Sequence, residues 1–280
     1  MVGEPPGTAL VTGAAGGIGS AVVRLLVERG FAVAALDVDG DGVADLAARL
    51  AARGHRVRGY AVDVADADAV EAAVAAAESD LGALAAAVNV AGVLRWGPVT
   101  AFSDRQWREV FDVNTLGVFH VCRAAARAMV PRQSGSIVTV GSDAGAVPRA
   151  AMAAYAASKA AAAHFTLSLG LELAPHGIRC NVVSPGATDT AMQRALWDRE
   201  PAPATQPAES AEPAAPAPGA RAEPATAPGA DPRAFRVAVP LGRIAQPDDV
   251  AESVAFLISP AARHITLHDL RVDGGASLGA

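Results

Sequence analysis

Residues 12–19 read Thr12-Gly13-Ala14-Ala15-Gly16-Gly17-Ile18-Gly19, and what lies on either side of this stretch decides the fold. Before it runs a short apolar segment, 8–12, with the character of a buried strand. After it, from residue 18, comes an amphipathic Ala/Val/Leu stretch with helical spacing. Glycines between a strand and a helix let the backbone turn tightly and approach a phosphate at the helix N-terminus, where free N–H groups and the helix dipole favour an anion. A second apolar run, 31–37, ends in Asp37, 18 positions beyond Gly19. A carboxylate there can accept both hydroxyls of an adenosine ribose and would repel a 2′-phosphate. Neither Arg nor Lys stands at 14–16 or at 38 to offset that charge, so the pattern favours NAD over NADP.

Outward from this unit the alternation continues. Strands are expected near 56–62, 84–89, 136–141, 178–183 and 267–272, and helices near 18–29, 41–53, 66–79, 103–130, 152–174 and 247–258. Short apolar runs alternating with amphipathic stretches are the mark of repeated βαβ units around a buried parallel sheet. Two helix starts carry capping chemistry: Ser103 is followed by Gln106 three positions later, and Asp66 precedes an Ala/Val-rich stretch. The 280 residues are read as a single α/β domain of the doubly wound Rossmann type. The exception is 198–234, and within it 201–232 hold nine prolines and no Val, Leu, Ile or aromatic residue. Such a segment has little to bury and is expected to be a flexible insertion in a substrate-cover loop. The covering itself is assigned to its flanks, 190–197 and 235–244.

Composition excludes several classes of function. With 51% hydrophobic residues the chain is globular, and a net charge of −6 without a basic cluster gives no footprint for nucleic acid. No apolar run reaches the roughly 18 residues a membrane span needs, and the start, MVGEPPG, lacks a signal's basic and apolar regions. A cytoplasmic protein without a membrane partner is expected. Cys122 and Cys180 fit neither a disulfide framework nor a zinc site and are read as core thiols. The six histidines show no metal-ligand spacing, so no metal is expected.

A second constellation carries chemistry. Tyr155 and Lys159, four residues apart, share one helix face, and Ser142 lies 13 residues before Tyr155 at the end of an expected strand. A cation near a phenol stabilises the phenolate and brings it closer to working as a base at neutral pH. Tyr155 is then placed to remove a hydroxyl proton while Ser142 orients that hydroxyl.

TGAAGGIG, NVAG at 89–92, Asn114, the Ser142/Tyr155/Lys159 set and PGATDT at 185–190 together resemble the short-chain dehydrogenase/reductase family over essentially the whole chain. The resemblance implies a seven-stranded parallel sheet of order 3-2-1-4-5-6-7 flanked by helices. It implies that Asn114 completes a proton relay through Lys159 and water. It also implies that Gly13, Ala15, Gly17, Ile18, Gly19, Asp37, Val38, Asp63, Val64, Asn89, Ala91, Gly92, Pro185, Gly186, Thr188 and Thr190, with Tyr155 and Lys159, hold the NAD. A homotetramer is implied as well, with 103–130 and 152–174 packing across one interface.

Longer strings, among them AGVLRWG at 91–97 and TDTAMQRALW at 188–197, are similar to the branch of that family that oxidises 2,3-dihydro-2,3-dihydroxybenzoate, a cyclohexadiene carboxylate of siderophore biosynthesis. A sibling acting on 2,3-dihydro-3-hydroxyanthranilate and a non-catalytic NAD(H) sensor are the alternatives. The substrate's carboxylate needs a cation, for which Arg149 is the first candidate and Arg95 the second. Leu94, Ser142, Met152, Met192 and Gln193 are expected around its ring. Two departures stand out: Gly141 replaces a Ser common in the family, and the Ala/Pro insertion is unusually long.

Overall fold

The computed structural model describes residues 7–197 and 239–278. The insertion expected at 198–234, and residues 235–238 of its second flank, lie outside the described residues. Seven parallel strands form one sheet in the order β3-β2-β1-β4-β5-β6-β7. They are β1 (Thr8–Thr12), β2 (Ala32–Asp37), β3 (Val57–Ala61), β4 (Leu84–Asn89), β5 (Gly135–Val140), β6 (Ile178–Pro185) and β7 (Asp269–Val272). Each expected strand is present within about two residues, and the order is the one the resemblance implied.

Strands β1, β2, β4 and β5 are largely apolar on both faces because both faces are covered, whereas the edge strands β3 and β7 carry the exposed Arg58 and Arg271. Alternate residues of β1 show the division: Ala9 and Val11 pack with α1 (Gly17–Glu28), α2 (Gly40–Ala51) and α8 (Pro247–Ile258), through Val22, Leu26, Leu46 and Val254. Leu10 points the other way, into a second core with α3 (Ala67–Leu81), α5 (Gly117–Met129) and α6 (Ala153–Leu173), among Val74, Val121, Met129 and Ile137. Full burial of each such side chain contributes roughly 1.5–3 kcal/mol before entropic costs. Cys122 and Cys180 are buried free thiols in this second core, and burial pushes both up to about 12, so they behave as small core hydrophobes.

The helix starts follow the expected caps. Ser103 and Gln106 form a reciprocal capping box on α4 (Asp104–Phe111), and the Asp66 carboxylate accepts from the backbone N–H groups of Asp68 and Ala69. The helix expected over 103–130 runs from Asp104 to Met129, with a wider π-type turn at Asp112–Leu116 between α4 and α5. That turn buries Asn114 completely, and its side-chain amide bonds to Val93 and Ser158. A short helix not expected from the sequence, α7 (Ala191–Trp197), follows β6. No described helix is long and apolar enough to cross a membrane.

Candidate active site

The C-terminal ends of β1, β2, β4, β5 and β6 open into one cleft of about 940 Å³. Ligands in open α/β sheets bind at this edge, where the strand order reverses on either side of β1. The turn after β1 has the shape the glycines predicted. Gly13 has φ of +64°, a left-handed conformation, and a Cβ on Gly19 would lie 1.9 Å from the Gly13 carbonyl oxygen. The turn therefore leaves exposed backbone at the start of α1, fitting a pyrophosphate. Asp37 closes it from the end of β2: its carboxylate accepts from the Ala15 N–H at 2.9 Å and the Asp39 N–H at 3.0 Å. Val38, Asp63, Val64, Ala91, Gly92, Pro185, Gly186, Thr188 and Thr190 continue the same wall.

Two residues of the expected set stand behind that wall. Asn89 is 3% exposed, with its amide nitrogen donating to the Thr139 hydroxyl at 3.2 Å, and it does not border the cleft. Being the last residue of β4, it points inward, and the wall is made by Val90, Ala91 and Gly92 beyond it. Asn114 is likewise buried: its Oδ1 accepts from the Val93 N–H at 2.8 Å, and its Nδ2 donates to the Val93 carbonyl at 2.9 Å and the Ser158 hydroxyl at 3.0 Å. The side chain thus pins the loop after β4 to α6. Thr12 does a similar task unnoticed in the sequence, accepting from the N–H groups of Val90 and Ala91 at 3.0 and 3.1 Å.

Ser142, just past β5, and Tyr155 and Lys159 on α6 all face the cleft. The Lys159 ammonium donates to the Val140 carbonyl at 2.8 Å and lies 5.9 Å from the centre of the Tyr155 ring. Burial alone pulls Lys159 down to about 8. The expectation of a phenol brought toward neutrality by this cation is corrected. Burial pushes Tyr155 up to about 12; Ser142 pulls it down in part, and the Asp143 carboxylate pushes it further up. Desolvation of the phenolate is the largest influence on this group.

Leu94, Arg149, Met152, Met192 and Gln193, the residues expected around the substrate, all border the cleft. Arg149 is paired, donating to Asp143 at 2.7 Å. Arg95 does not border the cleft and is bound to Glu109 by two N–H groups. Sequence reasoning missed Trp96 and Asp143, which also line the cleft, as do Leu196 and Ile244 from the two flanks expected to cover it. The signal for Leu196 was its place four residues after Met192, one helical turn along α7. The described flanks of the insertion are tied at their root: the Asp189 N–H donates to the Ala245 carbonyl at 2.9 Å, and the Ala245 N–H to the Ala187 carbonyl at 3.0 Å. Gly141 is accounted for by packing, because a Cβ there would lie 2.9 Å from the Ser184 hydroxyl and 3.0 Å from Val182.

A doubly wound parallel sheet with a glycine turn and a Ser/Tyr/Lys set on one cleft defines a nicotinamide-dependent oxidoreductase architecture. The short chain dehydrogenase family model matches residues 7–201, and a model described as Enoyl-(Acyl carrier protein) reductase matches 217–277. This chain belongs to the short-chain dehydrogenase family. It is 44% identical, over 97% of its own length and 96% of the relative's, to a 2,3-dihydro-2,3-dihydroxybenzoate dehydrogenase of Bacillus subtilis (strain 168). It is 38% identical to the Escherichia coli (strain K12) protein of the same name, with 96% of each chain covered. Among solved structures, a 3-ketoacyl-(acyl-carrier-protein) reductase from Brucella melitensis complexed with NADH superposes with a TM-score of 0.80 at 28% identity, covering 97% of this chain and 98% of that one. A gluconate 5-dehydrogenase from Burkholderia cenocepacia, in complex with NADP and tartrate, gives 0.81 at 31% identity, covering 98% and 96%. The family's cofactor is a nicotinamide dinucleotide, and neighbours of this fold hold either form.

Proposed function

We propose that this protein catalyses the NAD-dependent oxidation of 2,3-dihydro-2,3-dihydroxybenzoate to 2,3-dihydroxybenzoate, supplying a siderophore or related natural product in the cytoplasm. The observation that carries this reading is a guanidinium, Arg149, in the same cleft as Ser142 and Tyr155, in a chain whose full-length relatives bear that enzyme's name. A benzoate-like acid requires such a cation, and Leu94, Met152 and Met192 offer apolar surface to its ring.

The glycine turn would hold the pyrophosphate, and Asp37 the adenosine ribose; its negative charge disfavours a 2′-phosphate and supports NAD. When bound, the nicotinamide supplies the acceptor for the hydride leaving the carbinol carbon. Ser142 orients the hydroxyl on that carbon, and Tyr155, in its phenolate form, takes the hydroxyl's proton as the carbon becomes a ketone. Lys159 contributes positive charge behind the phenol at neutral pH. The Asn114 side chain is committed to Val93 and Ser158, so in this reading its share in any proton relay passes through the backbone. Enolisation of the ring ketone, in which the adjoining ring carbon gives up its proton and the ketone oxygen gains one, completes the aromatic product and drives the reaction forward.

The working unit is proposed to be a homotetramer. The outer faces of α5 and α6 form a groove of about 590 Å³ lined by Phe119, Arg123, Phe165 and Leu169, a surface a second copy would cover. Light scattering at micromolar concentration tests the assembly; a monomer removes it. The activity is tested by NADH formation at 340 nm with NAD and the trans-2,3-diol acid, beside NADP and the amino analogue. Rapid turnover of the diol acid with a catechol product is expected. Turnover of the amino analogue alone would transfer the assignment to that sibling reaction, and bound NAD without turnover of either would favour a sensor.

A further inference from the structure

Beside Ser142 the cleft wall carries a carboxylate that the proposed reaction leaves without a task. The side chains of Asp143 and Arg149 are 12% and 19% exposed, both border the cleft, and Arg149 Nη2 donates to Asp143 Oδ2 at 2.7 Å. Among the described residues, Asp143 Oδ1 meets only the Ser142 hydroxyl, at 3.4 Å, too long for a strong hydrogen bond. A half-committed carboxylate is an odd neighbour for an anionic substrate. It repels the acid, and it raises the phenol that must lose a proton. Arg149 does not need it to stay charged, since a guanidinium is protonated without help.

The pair has a ligand complement, however. An ionised carboxylate only accepts hydrogen bonds, and a guanidinium only donates them. Side by side on one wall, they match a ligand edge that carries a donor next to a carboxylate. We infer that Asp143 and Arg149 together read the vicinal hydroxyl–carboxylate edge of the substrate: Arg149 takes the ring carboxylate, and Asp143 Oδ1 accepts from the hydroxyl on the adjoining carbon, which is not the one oxidised. The inference rests on the function proposed above and adds a specificity residue to it. Because Asp143 directly follows Ser142, the next ring carbon along is the one presented to Ser142 and Tyr155. A charge-assisted bond is about twice as strong as a neutral one, which offsets the repulsion Asp143 brings.

The test separates this inference from the activity it rests on. Binding of trans-2-hydroxycyclohexanecarboxylate and of cyclohexanecarboxylate is measured by calorimetry on the full chain with saturating NADH, for wild type, Asp143→Asn and Asp143→Ala. Wild type is expected to bind the hydroxy acid at least ~10-fold more tightly than the plain acid. In Asp143→Ala this ratio should fall below ~3, with Asp143→Asn intermediate, and the plain acid's affinity should change far less. Equal losses for both acids would show that Asp143 acts only by holding Arg149 and would overturn the inference, as would a wild-type ratio near one or no binding of either acid. Retained NADH binding by the variants shows that they are folded. A wild type that discriminates the hydroxy acid but does not turn over the diol acid refutes the proposed reaction and leaves the inference standing; turnover of the diol acid without discrimination refutes the inference alone.

Discussion

The Lys159 ammonium lies 5.9 Å from the centre of the Tyr155 ring, yet its hydrogen bond goes to the carbonyl of Val140 at 2.8 Å. The strand end therefore fixes the cation beside the phenol without an ion pair between them. Lys159 is buried and Tyr155 half-buried, and desolvation moves them in opposite directions: the phenol up to about 12 and the ammonium down to about 8.

Replacing Tyr155 by Phe removes the phenolic oxygen and keeps the ring. Turnover should fall by about 10²–10⁴, the usual contribution of a positioned acid–base group. Cofactor affinity, followed by NADH fluorescence, should change less than about threefold, because the glycine turn and Asp37 are untouched. Near-normal turnover would exclude Tyr155 as the base.

Lys159→Met should inactivate the enzyme while stabilising its fold. The unfolded chain keeps a lysine proton up to about pH 10.4, whereas the folded protein releases it near 8. Between those values the unfolded state binds more protons, so stability from this group rises with pH; below about 8 the full penalty is present. At pH 7 the variant should gain on the order of 1–3 kcal/mol, reduced by the bond lost to Val140. Calorimetric melting temperatures should show the gain at pH 7 and its shrinkage toward pH 10. A variant less stable than wild type at pH 7 would show that the buried charge is compensated.

Gly19→Ala tests the turn. The added methyl would lie 1.9 Å from the Gly13 carbonyl oxygen, and the obstacle is backbone that cannot swing aside. We expect a loss of about 1–3 kcal/mol, typical of overpacking, together with loss of NADH binding, read by thermal melts and fluorescence. Tight NADH binding in this variant would separate the turn from the cofactor site.

Cofactor choice should follow Asp37. In Asp37→Ser combined with Val38→Arg, the repelling carboxylate is gone and an exposed cation can meet a 2′-phosphate; Val38 is 75% exposed, so the change costs little packing. The ratio of kcat/KM for NADP over NAD should rise at least ~10-fold. An unchanged ratio would place cofactor selection elsewhere.

The apolar periodicity fixed all seven strands and most helices, because a parallel sheet covered on both faces leaves short apolar runs that little else produces. The glycine turn and the spacing of Ser142, Tyr155 and Lys159 were local patterns on single elements, and these residues do face one cleft. Asn89 and Asn114 show where that reading stops. Each stands in a recognisable string, but whether a side chain faces the cleft or the layer behind it depends on the neighbours its amide meets, here Thr139 at the amide nitrogen of one and Val93 with Ser158 for the other.

By itself, then, the sequence determined the order of elements, the glycine turn after β1 and the spacing of Ser142, Tyr155 and Lys159, all set by local geometry and patterning. The tertiary structure decided which neighbours each charged group meets. Arg95 is bound to Glu109 and Arg149 to Asp143, and only the second pair borders the cleft. Tyr155 is raised by burial despite a nearby ammonium. Electrostatic interactions and desolvation depend on distances between residues far apart in the chain, and those distances exist only once the helices have packed on the sheet.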